Sequence, residues 1–182
     1  MITALYGTYL FGATSLVPTP GKTDFSVEVH TWIRQYRDVD PSKEGQELIF
    51  EEYNAGVLTT VGKNFIEGKL GDDAFANNTA FAEYLSMSTD NSAPSSAWVN
   101  IPSEQDANGL SRQEGGYTST GDGVYEIEYE FTATGQVVDI QLLANSWDNT
   151  KDDGSLFFSD TCTPFTVENQ DTITLTAEVT IT

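Results

Sequence analysis

The sequence predicts a mainly β protein: a β-sandwich, jelly-roll or Ig-like, with one short helix and an N-terminal arm. Three observations carry this. Apolar and polar residues alternate with a period of two over several segments, as strands with one buried and one wet face require. Clusters of Gly, Asp, Asn and Thr punctuate the chain at short intervals and supply turns. Only one segment spaces its apolar residues as a helix does.

Residues 1–23 read as an apolar arm or edge strand closing on Leu16-Val17-Pro18-Thr19-Pro20-Gly21, and residues 24–182 as the sandwich. Phe25, Val27, Val29 and Ile33 share one strand face, with Ser26, Glu28 and His30 opposite. A turn over 38–45 and a return strand opening at Leu48-Ile49-Phe50 complete a hairpin. The helix starts at Thr59 or Thr60, pairs Val61 with Phe65 and Ile66 with Leu70, and stops at Gly71. Gly62 and Gly68 each cost it about 1 kcal/mol, so packing on a sheet must hold it. Another helical turn or two is expected within 72–82, and a long surface loop over 89–109. Short strands follow near 84–88, 110–118, 137–143, 156–159 and 163–167. The clearest alternations are Tyr125, Ile127, Tyr129, Phe131 against Glu126, Glu128, Glu130, and Ile173 to Ile181 against threonines and Glu178.

At 182 residues the chain is of single-domain length. Eight Lys and Arg against 28 Asp and Glu give a net charge of −20. That balance excludes a phosphate backbone or an anionic membrane surface as direct partner. The carboxylates are spread along the chain, so they read as a solvated folded surface rather than an acidic tail. With only five Lys, this points to a halophilic host, where ~1 M salt shortens the Debye length to about 3 Å and screens the self-repulsion. Cys162 is alone and reads as a buried thiol. The N-terminus has no basic residue before Lys22, so it reads as mature chain rather than a secretory signal.

Chemistry-bearing residues are few. His30 lies mid-strand beside no nucleophile signature, and one His and one Cys make no zinc cluster. Glu126, Glu128 and Glu130 stand about 7 Å apart on one strand face, which is within range for an inverting glycosidase, but a polar strand face explains the pattern fully. Asp148, Asp152 and Asp153 share a loop that fails the EF-hand pattern at Thr150 and Asp153 and reads as a hydrophilic turn. Asn77-Asn78-Thr79 is a lone sequon. No catalytic, cofactor-binding or metal residue is assigned, no cofactor is expected, and the chain is expected not to be an enzyme.

The order of segments resembles virion proteins of tailed viruses, particularly those infecting haloarchaea. An N-terminal hairpin precedes Gly62-Lys63-Asn64-Phe65-Ile66-Glu67-Gly68-Lys69-Leu70-Gly71, then Tyr84-Leu85-Ser86-Met87-Ser88 with its loop, then Asn108-Gly109-Leu110-Ser111-Arg112 and Tyr129-Glu130-Phe131. The close resembles it at Leu156-Phe157-Phe158, Phe165-Thr166-Val167 and Asp171-Thr172-Ile173-Thr174-Leu175. The similarity covers roughly residues 25–182 and leaves out the arm. It implies a structural protein of the particle, a capsid decoration or turret subunit, with a tail tube or fibre subunit as the alternative. The implied partners are the major capsid protein or neighbouring virion proteins and further copies of itself (a trimer, pentamer or hexamer). The implied location is the virion, assembled in the host cytoplasm.

A third reading, from another class, is a carbohydrate-binding sandwich, for which Trp32, Trp98 and Trp147 are the rings to inspect. The arm, with Ile2, Leu5, Tyr6, Tyr9, Leu10 and Phe11, carries too much apolar surface to stand in solvent, and must cover its own sheet or a neighbour. The halophile expectation makes the first prediction. Thermal melts in rising NaCl should show a transition temperature that climbs into the multi-molar range, and equal stability at low and high salt would contradict it.

Overall fold

In the computed structural model, residues 26–37, 45–71 and 81–182 are described. They form a β-sandwich of two five-stranded sheets whose pairings are all antiparallel. The strands are β1 (Val27–Arg37), β2 (Glu47–Ala55), β3 (Val57–Leu58), β4 (Tyr84–Ser88), β5 (Gln113–Glu114), β6 (Gly116–Gly121), β7 (Val124–Thr132), β8 (Val137–Ser146), β9 (Leu156–Val167) and β10 (Thr172–Ile181). Sheet A runs β2-β1-β10-β7-β6 and sheet B runs β3-β9-β8-β4-β5. The expected arm at 1–23, the turn at 38–44 and the extra helical turn over 72–80 lie outside the described residues.

Two of the passages between sheets are made at glycines where a side chain would not fit. At Gly56, between β2 and β3, an added Cβ would come 2.9 Å from the Phe158 ring. At Gly115, between β5 and β6, it would come 2.5 Å from the Ile127 side chain. The α-helix, α1 (Thr60–Gly71), lies against β9. Thr59 caps it: its hydroxyl accepts the Gly62 amide at 2.9 Å and lies within hydrogen-bond distance of the Leu156 and Phe157 carbonyls. Gly62 sits so close to β9 that a Cβ would land on the Phe157 carbonyl oxygen. The glycine that weakens the helix in isolation is therefore what lets it dock.

The main core lies between the sheets, where Ile33, Leu175, Ile173 and Phe131 of sheet A meet Leu143, Phe157, Phe158 and Val167 of sheet B. Two buried carboxylates at its margins are paired. The Thr31 hydroxyl donates to Asp160 Oδ2 at 2.5 Å. Burial pushes the Asp160 carboxyl above its ordinary range, opposed by hydrogen bonds from Thr31 and the Thr161 amide. At one corner, buried Asp171 receives Arg37 through Nε (2.7 Å) and Nη2 (2.6 Å), Gln35 Nε2 (2.6 Å) and the Glu168 amide (2.8 Å). Burial alone would raise the Asp171 carboxyl, but these donors, led by the Arg37 guanidinium, hold it below the usual carboxylate range.

One expectation is corrected. The separate strands near 156–159 and 163–167 are one strand, β9. Between the pairs Leu142↔Thr161 and Ile140↔Phe165, β9 carries two residues more than β8, and Pro164 is accommodated in that bulge. The stretch 89–109 is a surface loop as expected, and it lies over part of the outer face of sheet B. Ile101 is buried there with Leu142, Ala144 and Leu156, flanked by Trp98, as a second small core. At about 1.5–3 kcal/mol per fully buried aliphatic side chain, that core is a substantial anchor.

An ion pair locks this cover. Arg112 Nε and Nη2 donate to the two carboxylate oxygens of Glu104, both at 2.8 Å, and the side chains are only 4% and 1% exposed. Arg112 Nη1 also reaches the carbonyls of Asp148 (2.7 Å) and Thr150 (2.9 Å), so one guanidinium ties the cover to the β8–β9 turn. Removing one partner of such a buried pair leaves an uncompensated charge. Arg112→Ala should lower unfolding free energy by about 3–5 kcal/mol in urea titrations, and Arg112→Lys should restore only part, lacking the two-pronged geometry. A loss below about 1 kcal/mol would contradict the role given to this pair.

Candidate interaction face of sheet A

Because residues 89–109 cover part of the outer face of sheet B, the outer face of sheet A is the broader strand surface left to solvent, and strand register dictates what it displays. Even-numbered residues of β1, β10 and β7 point outward, as do Glu51, Tyr53 and Ala55 of β2. One row across the sheet reads Ala55, His30, Glu178, Glu126, the next Tyr53, Trp32, Thr176, Glu128, and the next Glu51, Arg34, Thr174, Glu130. The face thus has an aromatic side at the β2 edge and an acidic side over β7.

Hydrogen bonds cross between rows. Trp32 Nε1 donates to Glu51 at 3.1 Å and the Tyr53 hydroxyl to Glu178 at 2.9 Å. Glu128 Oε2 accepts both Arg34 Nη2 (3.1 Å) and the Thr176 hydroxyl (2.8 Å). Desolvation, then the Glu178 carboxylate, push the Tyr53 hydroxyl up to about 12, so it stays a neutral donor over the physiological range. The His30 ring stacks on Tyr53 at 5.1 Å, and the Arg34 guanidinium lies over Trp32 at 4.8 Å. Trp32 and Tyr53 stand at 86° to each other, forming a corner rather than a coplanar shelf for a sugar ring.

Further along the β2 edge, beyond the Glu51–Arg34 row, lie two more exposed apolar residues. Trp32 (39% exposed), Leu48 (47%), Ile49 (41%) and Tyr53 (52%) lie along β1 and the edge strand. Such a run on an edge strand, whose outer hydrogen-bonding groups have no ladder partner among the described residues, is a surface built to be covered. The opposite edge, β6, is short, Gly-bounded and mostly polar.

The other residues singled out by sequence are placed as follows. Trp98 packs on the second core and Trp147 stacks on Phe65 at 4.8 Å, so Trp32 is the tryptophan that reaches this face. Glu126, Glu128 and Glu130 do share the face, with Glu128 engaged by Arg34 and Thr176. Asp148 and Asp153 turn their carboxylates onto their own loop, accepting from the Thr150 amide (2.8 Å) and from Ser155. Among the described residues no group of three or more His, Cys, Asp or Glu is placed to hold a metal ion. Burial, then Glu52 and Asp160, push the Cys162 thiol up to about 12, consistent with an inert buried sulfur. A polar cleft of about 540 Å³ between 89–108 and the start of β8 gathers three left-handed residues, Ser103, Asn108 and Asp139.

The sequence signal for the apolar edge was Leu48-Ile49-Phe50. Three consecutive apolar residues break a period of two, so not all can face the core, and it is Phe50 that turns inward to stack on Phe165 at 4.8 Å. No family model, curated protein or solved structure matches this chain.

Glu178 and Glu126 lie directly opposite each other, a repulsive cross-strand pair. Glu178→Gln should therefore stabilise the protein by roughly 0.5 kcal/mol at low salt, with the gain vanishing in multi-molar NaCl. Paired melts check this; a gain that is the same at both salt levels would mean the pair is not repelling.

Proposed function

We propose that this chain is a non-enzymatic structural protein of a tailed-virus particle, a capsid decoration or turret subunit that attaches through the β1–β2 edge of sheet A. The observation that carries the attachment is the exposed set Trp32, Leu48, Ile49 and Tyr53 along the β1–β2 edge, on a sandwich whose other sheet is partly covered. The virion setting rests on the order of segments described above. The choice of a head position over a fibre rests on residues 89–109, which are spent on covering sheet B instead of forming a free receptor loop.

The charge distribution indicates what kind of partner fits. At low salt, two copies apposed through this face would bring like-charged rows Glu28, Glu126, Glu128, Glu130 and Glu178 together, a repulsion that only high salt relieves, and the partner we assign to the face is a different chain, the major capsid protein. Self-association, as a trimer, pentamer or hexamer, then uses other surfaces. Aromatic and aliphatic anchors at the edge supply affinity, and the carboxylates beside them select against acidic surfaces. The net charge of −20 fits particles that mature in concentrated salt, where such repulsion is screened.

Native mass measurement of the purified chain, alone and in dissociated particles, tests this reading. The chain should be recovered in fixed stoichiometry with a capsid component. Trp32→Ala combined with Ile49→Glu should weaken that association at least tenfold while shifting unfolding free energy by no more than about 1 kcal/mol. Unchanged association in the double variant, or a monomer that hydrolyses glycans, would overturn it.

A further inference from the structure

The polar cleft of about 540 Å³ lies at the margin of the 89–109 cover, between that loop and the start of β8. Its volume falls in the range of small-molecule sites, roughly 300–1,000 Å³. Five side-chain amides line it, those of Asn91, Gln105, Asn108, Gln136 and Gln141, together with the carboxylates of Asp90 and Asp139. No Lys, Arg or His lines it, and its apolar surface comes from Val137 and Val138. We propose that this cleft binds a neutral saccharide.

The backbone is bent to build it. Among the described residues five other than glycine adopt a left-handed conformation, and three of them, Ser103, Asn108 and Asp139, line this cleft. Such conformations cost free energy and persist where the surroundings impose them, which is often at a binding site. Asp139, with φ of 55°, sits in a bulge. From Val137↔Val167 to Ile140↔Phe165, β8 advances three residues while β9 advances two. The extra residue lets Val138 and Asp139 both face solvent, where strict alternation would turn one of them into the core.

The facing wall is fixed by hydrogen bonds. The Gln105 main-chain amide donates to the Met87 carbonyl at 2.9 Å, the Thr134 amide to the Asn108 carbonyl at 2.9 Å, and Asn108 Nδ2 to the Gln136 carbonyl at 3.2 Å. The walls are therefore set before a ligand arrives, which keeps the ordering cost of binding low. By contrast, Asn91, Asp139 and Gln141 carry no side-chain hydrogen bond among the described residues, so their donors and acceptors are available.

The lining selects the ligand by exclusion and by match. An anion would meet Asp90 and Asp139 with no cation beside them, on a chain of net charge −20. An apolar ligand would strip water from amides and carboxylates without replacing its hydrogen bonds. The neighbouring hydroxyls of a sugar ring both donate and accept, which suits carboxylates set among amides. Val138, 53% exposed, offers an apolar contact for the C–H face of such a ring. The proposal goes beyond the particle reading and does not rest on it: the cleft belongs to sheet B and its cover, whereas attachment uses the β1–β2 edge of sheet A.

Amide shifts of the isotope-labelled full chain, titrated separately with glucose, galactose, mannose and N-acetylglucosamine to about 100 mM, test this down to millimolar affinity. At least one sugar should move a set of signals confined to 89–91, 103–108 and 136–141. Asp139→Gly removes a carboxylate at a backbone position that glycine favours, so the fold should stand. Combined with Asn91→Ala, a change on the exposed rim, it should weaken sugar binding at least tenfold with the urea unfolding midpoint unchanged, and Asn91→Ala alone should weaken it severalfold. No localised shift with any of the four sugars, or full binding by the double variant, would overturn the proposal. So would shifts produced there by CaCl2 and by none of the sugars, which would give the cleft to a cation.

Discussion

The Arg112–Glu104 pair is the constraint on which the arrangement of surfaces depends. A fork of two 2.8 Å hydrogen bonds, almost wholly removed from solvent, fixes residues 89–112 across sheet B and ties them to the β8–β9 turn. In water such a pair would contribute little. In this position its value lies in what each charge would cost unpaired. With the cover in place, Ile101, Leu142, Ala144 and Leu156 lose contact with water, and that part of sheet B becomes an interior layer. The functional consequence follows by subtraction, because the broad strand face that remains belongs to sheet A.

Much of this fold was legible because period-two alternation is a local signal. β1, β7 and β10 read correctly, since each has a dry face and a wet face. β8 and β9 were harder for the opposite reason. Both of their faces are buried, so alternation is weak, and a proline within β9 made one bulged strand look like two. The segment 89–109 reads as a loop from its Ser, Asn, Pro and Asp residues and is one, but composition does not reveal that Trp98 and Ile101 fasten it to Leu142, Ala144 and Leu156, far along the chain. Gly62 shows the same limit. Helix propensity counts it as a defect, and only the closeness of the Phe157 carbonyl explains it.

The candidate face was half legible. The carboxylate row over β7 and the outward Trp32 can be read from alternation, but the union of Trp32 with Tyr53 and with Leu48 and Ile49 depends on the β1–β2 register and its shift at Gln35/Tyr36. Register also decides what the face is suited to. The two large rings meet at a right angle with His30 and Arg34 against them, so the patch is shaped as a packed corner for a protein surface. The acidic rows beside it tune the choice of partner, and high salt moderates their cost.

The central claim is that the β1–β2 edge of sheet A is where this protein is held in a larger assembly. Hydrogen exchange compared between the free chain and the chain in intact particles tests it most directly. The account predicts that amides of Glu47–Ala55 slow at least tenfold on assembly while those of Gly116–Gly121, at the opposite edge, are unchanged. Unaltered exchange along β2, or protection that falls on β6 instead, would contradict it.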